Sequence, residues 1–358
     1  MSHSNNQKQT GKVYRVVQWA TGNVGSRALR RVIEHPQMEL VGVKVHGGSK
    51  VGQDAGVLAG LSPVGIKATD SIEDVLALKP DCVLYMPHVC DYDEVCQLLA
   101  SGINVVTTRM EFQNPAALDE AMCKRVEEAC QVGNSSIHAT GSSPGFISEA
   151  VPIVLASIQR RLYHLEINEF ADVSSRNSPE MLFEMMGFGQ HPGPASKGQV
   201  EHAKYSFGPS LQLLATSLGL PIDNFEVQVE VGLARKDVHI AAGVVPAGTV
   251  AATKNILTGI RNGKPLISFT TTWFVSTDVD TSDGKTWRFV SPSGWHILLE
   301  GDCPLDVMIS FPVEPENYAA MTPGLTAHRP VNAVPYVCDA PAGICTTVDL
   351  PQIIANLA

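Results

Sequence analysis

The chain has 358 residues, of which 44% are hydrophobic and 17% are charged, a composition typical of a packed globular protein rather than a disordered one. This length exceeds one ordinary core, so we expect two domains, or one domain with a large insertion. The 26 basic and 36 acidic residues give a formal net charge of −10, which argues against a nucleic-acid partner. No stretch approaches the ~20 consecutive apolar residues of a membrane span, so we expect no membrane partner.

The N-terminal residues and the cysteines indicate where the protein functions. Residues 1–12 are polar and lack the apolar segment of a secretory signal, so we predict a disordered tail. The eight cysteines include no C-x-x-C pair, which favours reduced thiols, a cytoplasmic location and no structural zinc. His191 has no second ligand at metal spacing, and we predict no metal site.

A glycine-bearing turn follows the first predicted strand and opens the first predicted helix. Ala20, Gly22 and Gly25 occupy the three glycine positions of G-x-G-x-x-G. In this strand–turn–helix context, small residues let the backbone approach a pyrophosphate, and the helix N-terminus supplies free N–H groups. A structural tight turn is the alternative. The predicted dinucleotide contacts are Ala20, Thr21, Gly22, Asn23, Val24 and Gly25.

The end of the second predicted strand bears on the choice of cofactor. An NAD site usually places an acid ~20 residues after the glycines, but the stretch "VKVHGGSK" has none before Asp54. His46, Ser49 and Lys50 offer donors and positive charge to a 2′-phosphate, which favours NADP(H), with NAD(H) as the alternative. Lys50 as an exposed loop lysine and His46 as a packed strand-end residue are the structural alternatives.

The first 150 residues alternate strand and helix patterns with short connections, which predicts a doubly wound parallel sheet with helices on both faces. The predicted strands are Tyr14–Trp19, Glu39–Val45, Cys82–Met86, Asn104–Thr107 and Ser136–Ala139. The predicted helices are Val24–Glu34, Ile72–Leu78, Tyr92–Ser101 and Pro115–Gln131. Ligands bind at the carboxyl ends of such strands, so Pro87, His88, Thr107 and Thr108 are predicted to line the ribose and nicotinamide. Pro87 could instead only terminate its strand.

Glu111 is the predicted catalytic residue. It follows a strand end in the apolar, proline-flanked loop "RMEFQNP". Burial between Met110 and Phe112 would suit its carboxyl group to general-base chemistry. A surface or helix N-terminal glutamate is the alternative.

Two later segments are candidates for the substrate pocket. The Gly-, Ser- and Pro-rich stretch "ATGSSPGFISEAVP" places Ser143 and Phe146 in a tight turn, for which a domain hinge is the competing role. The segment "PEMLFEMMGFGQHP" clusters methionine and phenylalanine between glycines. We predict Met186 and Phe188 as pocket lining, although such clusters usually belong to a core.

From about Arg161 the pattern changes to long strands with period-2 alternation, which predicts an α+β domain with a large, mainly antiparallel sheet. Such a sheet leaves one face for a partner, so we expect a homodimer across it. After Pro315 a helical pattern leads into Pro- and Gly-rich coil, which should dock on the first domain. The predicted division is therefore 13–150 with 316–358 for the dinucleotide-binding (Rossmann) domain, and 151–315 for an inserted substrate and dimerisation domain.

Four segments together carry a family resemblance: "VVQWATGNVGSRALRRVIEHPQMELVGV", "TGSSPGF", "EMMGFG" and "TAHRPVNAVP". From about Val13 to the C-terminus the chain resembles the dihydrodipicolinate-reductase-like NAD(P)H-dependent oxidoreductases, in the subgroup of 2,4-diaminopentanoate dehydrogenase and the native amine dehydrogenases. The histidine and lysine motifs of true dihydrodipicolinate reductases are absent.

The resemblance implies a Rossmann domain with an α+β domain, a homodimer, and amine dehydrogenase chemistry. That chemistry is the NADPH-driven reductive amination of small ketones or aldehydes with ammonia, or the reverse oxidative deamination. Glu111 matches the family's catalytic glutamate. The alternatives are an imine or carbonyl reductase of the same fold, or a catalytically silent NADP-sensing protein.

Overall fold

The structure, a computed structural model, describes residues 11–193, 197–290 and 293–357. The strands are β1 Tyr14–Trp19, β2 Met38–Lys44, β3 Ala68–Thr69, β4 Cys82–Tyr85, β5 Asn104–Thr107, β6 Ser136–Ala139, β7 Leu162–Asp172, β8 Asn224–Ala234, β9 Val238–Ile240, β10 Gly243–Val245, β11 Val250–Arg261, β12 Lys264–Phe274, β13 Val279–Thr281, β14 Ser293–Gly301, β15 Leu305–Ser310 and β16 Gly343–Cys345. The α-helices are α1 Asn23–Ile33, α2 Ala55–Leu58, α3 Ile72–Leu78, α4 Tyr92–Ala100, α5 Glu120–Gly133, α6 Val151–Ala156, α7 Lys197–Ser217 and α8 Pro315–Cys338.

The chain divides into two compact units. Within the described residues, the first comprises 11–112, 119–139 and 326–357, and the second comprises 113–118 and 140–325. The predicted division ends the first segment at 150, about ten residues later than 139, and ends the inserted domain at 315, ten residues earlier than 325. That division stays a prediction. Of the predicted tail, residues 1–10 lie outside the described residues, while Gly11 and Lys12 are exposed coil.

The first unit contains a seven-stranded sheet in the order β16-β6-β5-β4-β1-β2-β3, with every pairing parallel. The order reverses between β1 and β4, which is the topological switch point where ligands bind in open parallel sheets. On one face, apolar residues of α1 and α8 pack against the strands in a continuous buried cluster. The predicted doubly wound parallel sheet is confirmed.

The C-terminal segment differs from its prediction. The helical pattern after Pro315 is confirmed as α8, but part of the predicted coil is the strand β16, paired with β6 through Gly343 and Ser136. Three residues are too few to show a strand period, so the local sequence does not reveal β16. The neighbouring strand supplies the hydrogen bonds that define it.

The second unit contains a seven-stranded sheet in the order β13-β8-β11-β12-β7-β14-β15 and a separate hairpin of β9 and β10. Among the described strands of the large sheet, only β7 and β12 pair in parallel, so the predicted mainly antiparallel sheet is confirmed. Leu165, Ile167 and Phe269 belong to the buried cluster on the face covered by α6 and α7. The pattern did not predict α7, because Gly208 and Pro209 interrupt it.

Candidate active site

The glycine-bearing turn between β1 and α1 has a strained backbone held by close packing. Ala20 adopts a positive φ of 71°, a conformation that glycine usually takes, and its N–H donates to the carbonyl of Lys44 at 2.8 Å. A Cβ on Gly25 would lie 2.2 Å from the carbonyl oxygen of Ala20. Only glycine therefore lets α1 start this close to the end of β1.

Gly22, by contrast, is open. A Cβ built on Gly22 would meet no heavy atom within 4 Å. Gly22 is also the N-cap of α1, and among the described residues no side chain caps this end and no acidic residue lies in the first turn, so the first N–H groups have no side-chain cap. Arg27 adds positive charge at this turn through its bonds to Asn23, a role that the sequence did not suggest. These features fit the diphosphate of a dinucleotide.

Lys50 lies against the same turn. Its Nζ donates to the carbonyl and the hydroxyl of Thr21, at 2.9 and 3.2 Å, from the helical turn Gly48–Lys50. His46 and Ser49 are exposed on the same connection. Partial burial and the charge of Lys44 lower the pKa of His46, which favours its neutral form. The structure thus brings Lys50 to the glycine turn and leaves His46 a neutral donor or acceptor.

Asp54, the first acid after β2, has a structural role. Its carboxylate caps α2 and accepts hydrogen bonds from the backbone N–H groups of Gly56, Val64 and Gly65 at 2.8 to 2.9 Å. These bonds lower the pKa of Asp54. Asp54 is therefore committed to its own loop.

An acid that the sequence did not single out, Glu94, lies at the switch point. Its Oε1 pairs with Lys44 Nζ at 3.0 Å, and its Oε2 accepts from the Tyr85 hydroxyl at 3.2 Å. The buried Lys44 ammonium also lies 4.2 Å from the centre of the Trp19 ring. A cavity of about 410 Å³ opens beside this cluster, lined by His46, Val89, Cys90, Asp91, Tyr92, Asp93 and Glu94. Its position between the ends of β2 and β4 suits an adenosine group.

The residues after β4 and β5 differ in accessibility. Pro87 is buried, whereas His88 is exposed and Thr108 is half-buried. Thr107 is fully buried, and its hydroxyl donates to the carbonyl of Tyr85 at 2.6 Å. In this structure Thr107 therefore ties β5 to β4.

Glu111 sits in the short helical turn Met110–Phe112, directly beyond β5. Phe112 is completely buried and packs edge-on against Tyr92, which anchors the turn. The Glu111 side chain is only 11% exposed and forms a two-bond ion pair with Arg109, at 2.6 and 3.2 Å. The sequence predicted a carboxyl group buried among apolar neighbours. The structure gives it a guanidinium partner instead.

Cys90 lies near this ion pair. Burial, together with the charge of Glu111, raises the pKa of its thiol to about 12, so Cys90 stays protonated. It is therefore a weak nucleophile.

The substrate-pocket candidates belong to the second unit. Ser143 and Phe146 lie in the kinked turn Ser142–Ala150, where Gly145 has a φ of 120°. The Ser143 hydroxyl oxygen is buried and has no hydrogen-bond partner among the described residues. Phe146 packs against Trp295, with ring centres 6.0 Å apart.

Met186 and Phe188 belong to the second apolar cluster of this unit. Phe188 is fully buried, and Met186 is half-buried against the same cluster. This packing agrees with the core interpretation of the segment. Their role in lining a substrate pocket stays a prediction.

The described residues include no group of three or more His, Cys, Asp or Glu side chains that could hold a metal ion. No helix within the described ranges is long and apolar enough to cross a membrane. All eight cysteines are free thiols.

Comparison with curated proteins gives full-length and partial relatives. The chain is 28% identical to an amine dehydrogenase of Streptomyces virginiae over 94% of this chain and 95% of the relative. It is 26% identical to a 4-hydroxy-tetrahydrodipicolinate reductase of Synechocystis, over 58% of this chain and 77% of that protein.

A solved amine dehydrogenase from Mycobacterium smegmatis shares the fold. Its TM-score is 0.74 at 19% identity, and the match covers 96% of this chain and 97% of that one.

Family profiles match both parts of the chain. Residues 16–131 match the N-terminal domain of dihydrodipicolinate reductase, and residues 153–358 match the C-terminal domain of 2,4-diaminopentanoate dehydrogenase. The second match covers more than half of the chain. Together with the parallel sheet and its glycine turn, these matches identify an NAD(P)H-dependent oxidoreductase, and the chain belongs to the 2,4-diaminopentanoate dehydrogenase family.

Proposed function

We propose that the protein is an NADP(H)-dependent amine dehydrogenase that aminates small ketones or aldehydes with ammonia and catalyses the reverse oxidative deamination. The observation that carries the proposal is the Glu111 carboxylate, held beyond β5 in the same sheet as the glycine turn. The names of the full-length relative and of the matched family support amine chemistry.

The first unit would hold the cofactor through the backbone of residues 20–25 and the N-terminus of α1. When bound, the cofactor supplies or accepts the hydride. Lys50, on the connection after β2 and fixed at Thr21, supports a preference for NADP(H), because the adenosine ribose binds at the end of β2 and an ammonium group there attracts a 2′-phosphate. Asp54 is committed to its own loop, and the charge of Glu94 is offset by its ion pair with Lys44, which reduces the repulsion of a 2′-phosphate.

Glu111 would act as the acid–base group on the substrate. Ammonia adds to the carbonyl carbon, and the carboxylate moves a proton from the added nitrogen to the new alkoxide oxygen. A second proton, from ammonium or solvent, reaches that hydroxyl group as it leaves as water and the iminium forms. The remaining negative charge of the carboxylate stabilises the cationic iminium that hydride reduces. Because the Arg109 bonds use only two of the ~four acceptor positions of a carboxylate, acceptor positions remain for these protons.

The substrate pocket would draw on Ser143 and Phe146. The buried Ser143 hydroxyl, without a partner among the described residues, is a candidate donor to a carbonyl oxygen. Phe146 and Trp295 supply apolar surface, which favours small aliphatic or cyclic ketones.

We infer a homodimer across the other face of the large sheet, to which Ser268 and Thr270 point, because they alternate with Phe269, which packs on α7 through Phe207. The free thiols support a cytoplasmic location.

The test is NADPH oxidation by the purified protein on a panel of small ketones and aldehydes, with and without high ammonium. We expect turnover that requires ammonium. The Glu111→Gln variant should lose about 10²-fold or more in kcat, since a positioned acid–base group contributes that much. The exposed Glu128→Gln serves as the matched control and should retain wild-type turnover.

Other outcomes contradict the proposal in different ways. Turnover that ignores ammonium would indicate a carbonyl or imine reductase. Tight NADPH binding without turnover on any substrate would favour the NADP-sensing alternative. Full activity of Glu111→Gln would exclude Glu111 as the acid–base group.

A further inference from the structure

Arg109 contacts Glu111 through both arms of its guanidinium group. Nη2 donates to Oε1 at 2.6 Å, and Nε donates to Oε2 at 3.2 Å. The two side chains are only 16% and 11% exposed. A two-bond arginine–carboxylate pair fixes the plane of the carboxylate as well as its distance, and low exposure limits screening by salt.

Arg109 is itself held in place. Its Nη1 donates to the carbonyl of His88 at 2.5 Å, on the connection after β4. Its backbone N–H donates to the Thr107 hydroxyl at 3.0 Å, and that hydroxyl donates to the carbonyl of Tyr85. The backbone of Arg109 is therefore tied to the ends of β4 and β5 through Thr107, and its guanidinium group is tied to the connection that follows β4.

Glu111, in contrast, lies in a three-residue helical turn. A turn this short does not by itself define the direction of a flexible glutamate side chain. The hydrogen bonds from Tyr85 through Thr107 and Arg109 fix the direction of the Glu111 side chain.

We propose that Arg109 is the positioning residue of the active site, which orients the Glu111 carboxylate toward the reacting nitrogen. This inference rests on the proposed function of Glu111. Lysine cannot replace Arg109, because an ammonium group lacks the planar fork that binds both oxygens.

The experiment is a double-mutant cycle with Arg109→Gln, Glu111→Gln and the double variant, assayed for ammonium-dependent NADPH oxidation. Arg109→Gln should lower kcat by about 10²-fold, the effect of a misplaced catalytic group, and leave the KM for the ketone within about twofold. In the Glu111→Gln background, the same substitution should change kcat by less than about twofold, because there is no carboxylate left to orient.

Further variants separate positioning from folding. Arg109→Lys keeps a positive charge and should still lose most of the activity. In Arg109→Ala, added guanidinium ion should restore part of kcat. Arg235→Gln removes an exposed arginine that pairs with Asp278 and Asp280, and it should behave as wild type. Thermal unfolding of each variant identifies any that fail to fold.

Additive losses in the double variant would overturn the proposal, since Arg109 would then act independently of Glu111. A full-activity Arg109→Lys enzyme would also overturn it, as would an NADPH Kd that rises as much as kcat falls. If Glu111→Gln alone is fully active, the proposed function of Glu111 fails first, and that result is distinct from a failure of Arg109.

Discussion

The glycine turn after β1 and the Glu111 turn after β5 lie at the same edge of one sheet, but they are built differently. The glycine turn works through backbone groups and open space, with Gly25 packed on Ala20 and Gly22 facing outward. The Glu111 turn works through side chains, with Arg109 joining Glu111 to the carbonyl of His88. The glycine turn depends on the absence of side chains at Gly22 and Gly25. The Glu111 turn depends on contacts between the side chains of particular residues.

This difference explains why one site was visible in the sequence and the other only in part. A glycine pattern between a strand and a helix specifies the turn locally. The partner of a glutamate depends on side-chain direction and on neighbouring strands. The comparison between the two turns can be tested with substitutions that change backbone packing, the protonation of a buried side chain or a single side-chain contact.

The largest effect is expected for Gly25→Ala. Alanine normally stabilises a helix relative to glycine by about 1 kcal/mol, but here its Cβ would lie 2.2 Å from a backbone oxygen. We expect a loss of about 1–3 kcal/mol in unfolding free energy and a shift of α1 that weakens NADPH binding more than tenfold. Chemical denaturation and fluorescence titration measure the two effects.

Gly22→Ala is the matched control in the same turn. Its backbone φ of −72° suits any residue, and its Cβ would meet no protein atom. The unfolding free energy should stay within about 0.5 kcal/mol of wild type, while the added methyl group should weaken NADPH binding. Equal stability and affinity for all three proteins would contradict our description of the turn.

A second prediction concerns the stability of the folded protein at acid pH, because variants of the two turns can be compared only at a pH where the protein stays folded. His138, on β6 beside β5, is completely buried, and burial lowers its pKa from 6.5 to about 4. Between these values the unfolded chain binds a proton that the folded chain does not, so stability falls as pH falls from about 6.5 toward 4. The loss should reach roughly 2 kcal/mol by pH 5.

Thermal unfolding between pH 7.5 and pH 5 measures this dependence. His138→Gln should have a shallower pH dependence than wild type over that range. His35 and His328 also have lowered pKa values and contribute in the same direction, so some dependence will remain in the variant. An unchanged slope would show that His138 does not stay neutral in the folded protein.

The smallest effect is expected for Lys50→Ala, which removes the one side-chain cation that contacts Thr21 among the described residues. A hydrogen bond to a charged group contributes about 1.5–3 kcal/mol, so the Kd for NADPH should rise about tenfold or more. The Kd for NADH should change much less. Lys124→Ala, on an exposed helix face, is the control. Equal losses for both cofactors would remove the support for an NADP(H) preference.

The comparison extends to the fold. The bounds of β1, β5 and β6 agree with the predicted strands, because buried parallel strands are short apolar runs between turns. In contrast, α7 and β16 were not visible. Gly208 and Pro209 disrupt the local helical signal, and β16 exists through its pairing with β6.

The sequence by itself determined the class of sheet, the family and the glycine turn, and it predicted a catalytic role for Glu111. Each of these depends on local spacing or on motifs that survive without coordinates. The tertiary structure decided the partners: Arg109 for Glu111, Thr21 for Lys50, and Lys44 for Glu94. Lys44 and Glu94 are fifty residues apart and meet only because β1, β2 and β4 are adjacent at the switch point. Contacts of this kind follow from strand order, which the local sequence pattern does not encode.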